Sequence, residues 1–513
     1  MRNNRFFWPA IIFCAVLGGF FWRMHLTTMT VKPLIVGIPA YWGTVMPPLQ
    51  HSAYGAAVLD NQFESLVRQG KKGLIEPLAA VSWEISPDRR LVRFKIDTER
   101  RFSDGSPLRA MDFKRSWEDG LRMAAKSNNS SIVDALDRLK GFAAFAKTGS
   151  IEGLRAIGDD TLELEYDRPL RPAVEYLADG RYAAYKVVDG HPIGTGPYVM
   201  KEEGQELLLT PNNNYRGSEP RFSEARIVVA LPGAAEAKLR AGELDALLFA
   251  EKYNLPGCDG ASEGVRCVFG QESAHLVVYL NGLAGRFFNQ HNLRLAMQTL
   301  IARKLEESGL PKDLKADHLS RDDQSFLPFQ AGRLSGAEAA ELIQAGQKHI
   351  PDLIAASKRD PIRLVSGREC QWLISLLRDA GVTVSTNSGK IDFSRILGMV
   401  YKTYEPDIVY IGYSVNNSDP DGLYHNLGRK GAIYSPIEAR ESVQDLFEEG
   451  RAIMSQALLA PHYEKTARAI LKEVPYVHLG YTPCGVAYKP DRVKVSDNFV
   501  NRNTNQITIF EPR

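Results

Sequence analysis

Three short stretches, set far apart, each oblige the backbone to turn: Arg101-Phe-Ser-Asp-Gly-Ser-Pro-Leu108, Pro192-Ile-Gly-Thr-Gly-Pro-Tyr198 and Gly412-Tyr-Ser-Val-Asn-Asn-Ser-Asp-Pro-Asp421. Glycine supplies the positive φ that a reversal needs, proline presets φ, and aspartate bonds its own backbone two residues on. A chain of 513 residues exceeds what one hydrophobic core serves, and at roughly 150 residues per unit it divides into about three. What lies between the turns therefore decides the architecture.

Leu34-Ile-Val-Gly-Ile38 is an apolar strand near the start. Between the first two turns, Leu91-Val-Arg-Phe-Lys-Ile96 alternates, with Val92, Phe94 and Ile96 on one face and Arg93 and Lys95 on the other, which predicts a half-buried strand. Thr161-Leu-Glu-Leu-Glu-Tyr166 repeats the pattern after Gly158-Asp-Asp160, so these strands are antiparallel with one face toward water. Phe113, Trp117 and Leu121 recur at helical spacing, and Phe102-Ser-Asp-Gly105 breaks the strand from that helix. Residues 58–188 read as a compact α+β unit. Later, Leu373-Ile-Ser-Leu-Leu377 predicts a helix stopped at Asp379-Ala-Gly381 and followed by a strand, Val382-Thr-Val384. Asp407-Ile-Val-Tyr-Ile-Gly412 is a strand running into the third turn, and Ser435, Pro436 and Glu438 form a helix N-cap signature. Helices alternating with strands imply a sheet covered on its faces, so residues 273–481 read as an α/β lobe. No internal repeat, low-complexity tract or long linker interrupts the chain.

Lys+Arg 63 against Asp+Glu 61 leaves a formal charge of only +2. That balance lacks the basic surface needed to neutralise phosphates, which excludes nucleic acid as a partner. Met1-Arg-Asn-Asn-Arg5 is basic and precedes an uncharged run from Phe6 to Trp22, closed by Arg23. Residues 1–30 therefore form a membrane anchor or a removed signal peptide. Leu17-Gly-Gly-Phe-Phe-Trp22 is a poor cleavage site, which favours the anchor, and Phe13 before Cys14 argues against lipid attachment. Basic residues stay on the inner side, so the chain beyond about residue 30 is periplasmic or otherwise extracytoplasmic. In that oxidising setting Cys258 and Cys267, which bracket a turn-rich loop, form either a local disulfide or two thiols. Cys370 and Cys484 stand far apart and the ten histidines are scattered, so the close ligand pairs of a zinc site are missing. A phosphate loop, a dinucleotide fingerprint, a nucleophile elbow and a zinc helix are also missing. Gly194-Thr-Gly196 lacks a third glycine and runs into Pro197, which suits a turn. The expectation is a protein that is not an enzyme and carries no cofactor.

Taken in order, five stretches resemble the large extracytoplasmic solute-binding proteins of ABC importers, the family 5 type that includes the dipeptide and oligopeptide receptors. They are Phe102-Ser-Asp-Gly105 with Ala110-Met-Asp-Phe113 behind it, Ile193-Gly-Thr-Gly-Pro-Tyr198, Asn292-Leu-Arg-Leu-Ala296, the turn 412–421, and Val474-Pro-Tyr-Val-His-Leu-Gly480. The resemblance covers nearly all of the chain beyond residue 30. It implies an α/β, two-lobed periplasmic binding protein fold with an extra α+β subdomain in the first lobe. Lobe I would be discontinuous, taking 31–57, 189–272 and 482–513, with 58–188 as its subdomain and 273–481 as lobe II. Two crossing segments, around Gln271 to His275 and around Gly480, would form the hinge. The implied activity is capture of a small solute, foremost a short peptide, between the lobes, and its delivery to ABC permease subunits. The receptor would be a monomer, held at the inner membrane through residues 6–22.

In relatives that bind peptides, a carboxylate three residues after an aromatic in the third turn holds the peptide α-ammonium. The aromatic here is Tyr413, and the carboxylate position falls on Asn416, which offers no counter-charge. The resemblance places Tyr413, Asn416, Asn417 and Asp419 on the ligand from lobe II, and Tyr41 and Trp42 from lobe I. Each has a plainer alternative: Asp419 as a turn cap, Asn416 as a solvated loop residue, and the aromatics as core. Two other functions fit the scaffold. One is a receptor for a metal chelate, haem or oligosaccharide, in which His275, His425 and His478 would matter; the other is a membrane-anchored sensor that kept the lobes without transport.

Overall fold

The computed structural model describes residues 32–50, 52–70, 74–127, 132–250, 253, 255, 258, 264–316, 318–391, 405–414, 419–424, 441–496 and 507–513. The N-terminal apolar run, Asn416, Asn417, His425 and the cap signature at Ser435 lie outside them. Among the described residues no helix is long and apolar enough to cross a membrane.

An 11-stranded sheet forms the spine. Its strands lie in the order Tyr198–Glu203, Glu206–Pro211, Ala225–Val229, Leu34–Ile38, Ala246–Leu248, Tyr476–Tyr488, Arg266–Leu280, Ile408–Ser414, Leu364–Ser366 and Gly389–Lys390, with Ser320–Arg321 added on Tyr476–Tyr488. Two members are far longer than the rest: Arg266–Leu280 has 15 residues and Tyr476–Tyr488 has 13. At one end they pair from Arg266 with Tyr488 to Phe269 with Gly485, beside Ala246–Leu248. At the other they pair from Ala274 with Thr482 to Tyr279 with Tyr476, and Ile408–Ser414 joins there. Between the two ends the register shifts twice, at Phe269/Glu272 and at Glu272/Ala274. Such bulges leave residues out of the ladder and bend the strand. The expected crossing at Gln271 to His275 thus meets an irregular stretch of sheet. Gly480, on the other crossing strand, has φ +143, and a Cβ there would lie 2.2 Å from the Ser320 carbonyl oxygen. Only glycine lets Ser320–Arg321 pair so closely.

Each half of the sheet has its own apolar filling. Leu34, Val36, Ile38, Tyr198, Leu207, Leu209, Ile227 and Val486 form one cluster. Beyond the bulges, alternation along a single strand supplies two more. Leu276, Val278 and Leu280 face the helices His291–Ser308 and Gln371–Asp379. Val277 and Tyr279 face Phe447 and Tyr463 of the helices Glu441–Gly450 and Gln456–Glu473. A separate four-stranded sheet, Ala80–Ile85, Leu91–Ile96, Thr161–Glu165 and Leu154–Ile157, packs with helix Ala110–Ser127 around a core running from Leu66 to Ala184. Val92, Phe94, Ile96, Phe113, Trp117 and Leu121 all point into it. The result is a two-lobed α/β fold.

One expected element is corrected. Val382–Val384 is not a strand: Val384 makes a single parallel bridge to Ile362. The amide of Thr383 donates to Ser357 Oγ at 2.9 Å, and the place beside Leu364–Ser366 is taken by Gly389–Lys390. Cys258 and Cys267 are joined in a disulfide with Cα atoms 5.1 Å apart, while Cys370 and Cys484 are buried thiols.

The first two turn motifs form one joint. The Ser103 amide donates to the Gly194 carbonyl at 3.0 Å, and the Gly196 amide donates to the Gln62 carbonyl at 2.8 Å. A Cβ on Gly196 would lie 2.5 Å from the Gln62 carbonyl carbon. Backbone on both sides cannot yield cheaply, so Gly196→Ala should cost about 1–3 kcal/mol, as overpacking does. A lower denaturant midpoint with an unchanged slope is the expected result.

Candidate ligand-binding site

Tyr41 and Trp42 follow the strand Leu34–Ile38. That strand lies between two parallel partners, so the chain leaves at the carboxyl edge of the sheet, where α/β folds place their ligands. Trp42 is fully buried, and its indole N–H donates to Glu202 Oε1 at 3.2 Å. Tyr41 lies against it, ring centroids 4.5 Å apart, with 54% of its surface exposed. Partial burial and the nearby Glu202 carboxylate raise the Tyr41 phenol above its ordinary range, so it stays protonated and able to donate. Gln50 fixes the turn by donating from Nε2 to the Trp42 carbonyl at 3.0 Å.

Tyr413 lies on the strand Ile408–Ser414, directly opposite His275 of the crossing strand. Tyr413 is buried and stacks on His275, with centroids 5.0 Å apart and planes within 7°. His275 Nδ1 lies 3.0 Å from His478 Nε2, and His478 Nδ1 lies 2.7 Å from the Asp322 carbonyl oxygen. One proton arrangement satisfies both contacts. His478 donates from Nδ1 to Asp322, and its Nε2 accepts from His275 Nδ1–H. His275 Nε2 is then a buried acceptor with no hydrogen-bond partner. Tyr481 stands edge-on to His275 at 4.9 Å and donates its hydroxyl to the Phe326 carbonyl at 2.7 Å.

Burial keeps both imidazoles neutral: His275 is held well below its ordinary range, and His478 is pushed down to about 4. Among the described residues no group of three or more His, Cys, Asp or Glu is placed to hold a metal ion. The sign of the linkage follows. In the unfolded chain these histidines take up protons near pH 6.5, whereas in the folded chain His478 refuses its proton until about pH 4 and His275 is held well below its ordinary range. Stability is therefore full above pH 6.5 and falls as pH drops toward 4, by about 3 kcal/mol for His478 alone. Replacing the pair as His275→Phe/His478→Met should flatten the fall in melting temperature between pH 7 and pH 4.5. An equally steep fall in that variant would remove the pair as its cause.

Asp419 takes the capping role. Its carboxylate accepts the Asp421 amide at 2.7 Å as the N-cap of a short 3-10 helix, Pro420–Leu423, and also pairs with Arg171. In the main sheet three strands separate Leu34–Ile38, which leads into Tyr41 and Trp42, from the strand that carries Tyr413. Sequence reasoning missed Glu202, Tyr481 and Arg171. Nothing local marks them, since each earns its position from a segment more than 100 residues away.

The family described as bacterial extracellular solute-binding proteins, family 5 middle, matches residues 75–305. The periplasmic murein peptide-binding protein MppA of Escherichia coli is 28% identical over 219 residues, 37% of this chain and 38% of the relative. The aligned stretch thus spans about two fifths of that relative's length. The solved structure of the E. coli murein tripeptide-binding protein MppA superposes with a TM-score of 0.78 at 18% identity, covering 94% of this chain and 99% of the other. The Haemophilus influenzae OppA complex with RPPGFSPFR also gives 0.78, at 16% identity over 94% of this chain and 99% of that one. The motif order, the two long crossing strands and these matches agree: residues 75–305 match the family 5 solute-binding model, and the fold is that of the solved binding proteins.

Proposed function

We propose that this chain is the substrate-binding receptor of an ABC importer, which captures a short peptide between two hinged lobes and presents it to the permease. The observation that carries the reading is a pair of long strands, bulged midway, that join two separately cored halves. Lobe I would comprise 31–57, 189–272 and 482–513 with 58–188 as its subdomain, and lobe II would comprise 273–481. Tyr41 is the exposed ring at the edge of lobe I, and Asn416 and Asn417 follow Tyr413 in lobe II. The relatives' names support a peptide as the ligand class. Residues 6–22 would anchor the receptor to the inner membrane, leaving the lobes outside the cytoplasm.

The ligand's charged amino end is the point of departure. With asparagine at 416, no carboxylate stands where the peptide receptors place one, so the ligand lacks a free ammonium or meets it elsewhere. Calorimetry with di- to pentapeptides, free and N-acetylated, should show similar affinities for the two forms. Asn416→Asp should improve binding of the free-amine peptides by about 1–3 kcal/mol, the worth of a charge-assisted hydrogen bond in a closed cleft. Strong discrimination against the acetylated forms by the unmodified chain would overturn the ammonium argument. Native mass spectrometry of the purified receptor, with no peptide retained and no peptide bound on titration, would overturn the peptide reading.

A further inference from the structure

Apart from the crossing strands, a second connection joins the segment 134–176 to residues 419–424 and 447–463. Arg451 lies at its centre, with a side chain that is 0% exposed. Its Nη2 donates to the Asp134 carbonyl at 2.6 Å, its Nε lies 3.4 Å from Asp421 Oδ2, and its Nη1 lies 3.7 Å from Asp137 Oδ2. The guanidinium sits 3.9 Å from the Tyr424 ring centroid and 5.8 Å from that of Tyr176. Tyr176 donates its hydroxyl to Asp421 Oδ2 at 2.7 Å. Arg138 pairs with Glu448 and donates to its carbonyl at 3.1 Å. Arg171 pairs with Asp419, donates to the Tyr463 hydroxyl at 3.0 Å, and sends its backbone amide to the Arg451 carbonyl at 2.9 Å.

Three properties set this connection apart from a permanent core. It is made of charges, and the apolar clusters on its two sides are separate: Tyr166, Leu170 and Tyr176 belong to one, Tyr424, Phe447 and Tyr463 to the other. Contacts of that polar kind are typical where parts of one chain move relative to each other. It is also incompletely satisfied, since Arg451 Nε and Nη1 and Asp421 Oδ1 are buried without a hydrogen-bond partner. Long pairs buried in this way recover little beyond their own desolvation, so the closed arrangement gains a modest net free energy from them. Finally, its two sides sit on the portions that the bulged strands join, so bending at residues 269–274 is the motion that would part them.

We propose that this cluster is a reversible latch, with Arg451 and Arg171 as positioning residues that hold the lobes closed without touching the solute. The proposal rests on the two-lobed receptor reading and adds a second determinant of closure, remote from the ligand. When the lobes part, water repays the charges their hydration, and when they meet, orientation is set by three arginines seated in fixed acceptors. The latch therefore fixes how much of the empty receptor is closed and how slowly a captured solute escapes.

The test uses the full-length chain without added ligand, spin-labelled through Arg168→Cys and Glu449→Cys, two exposed positions on either side. The double variant Asp421→Asn/Arg451→Met removes the two central charges together, so neither is left facing the other's vacancy. Should that variant not fold, Arg171→Met/Asp419→Asn at the edge of the cluster keeps the capping side chain and gives the same reading. The expected result is a longer and broader interlabel distance in a folded variant, with peptide dissociation accelerated about tenfold and association little changed. A distance distribution superimposable on that of the unmodified chain, in a folded variant, would overturn the latch. Because the distance is read without ligand, that outcome is distinct from a failure to bind peptides, which would instead overturn the receptor reading.

Discussion

The pairing of Arg266–Leu280 with Tyr476–Tyr488 is the interaction on which the rest depends. Two antiparallel strands of this length can belong to two structures at once, because each end carries its own neighbours and its own apolar filling. The ladder is continuous enough to hold the halves in register and irregular enough at 269–274 to bend. Neither half can slide against the other without breaking backbone hydrogen bonds, so the freedom left is rotation about the irregular stretch.

The polar groups near that stretch are arranged for different purposes. Around His275 the groups are neutral, stacked and chained to the Asp322 carbonyl, which keeps charge out of the crossing strands. Around Arg451 the groups are charged and loosely matched. In the imidazole chain each ring N–H has a defined acceptor, whereas the buried charges around Arg451, with unmatched atoms, are close to balance with their hydrated state. The buried polar groups at the crossing strands are thus uncharged, and those of the remote contact are charged.

Much of the scaffold was legible because it rests on local rules. Alternation at Leu91–Ile96 and Thr161–Glu165, helical spacing at Phe113, Trp117 and Leu121, and turn chemistry at Asp104-Gly105 and Gly194–Gly196 each predict what is found. The strand expected at Val382–Val384 failed because a neighbouring pair of residues takes its place in the sheet, which no local pattern announces. The site was less legible for the same reason. Asp419 could be read as a cap from its Asp-Pro context, but its pairing with Arg171 spans 248 positions and depends on the fold. Trp42 carries no local mark that it would be wholly buried on Glu202 while Tyr41 beside it stays open to solvent.

The Cys258–Cys267 disulfide has a mechanical consequence. Cys267 is the second residue of the long strand Arg266–Leu280, two positions before the first register shift. A covalent tie there clamps the root of the strand, so it cannot creep lengthwise when the far end is pulled. A beam clamped at one end and weakened just beyond the clamp flexes at the weak point, and its free end sweeps an arc. In this fold the clamp is the disulfide, the weak point is the bulge, and the far end lies beside the strand that carries Tyr413.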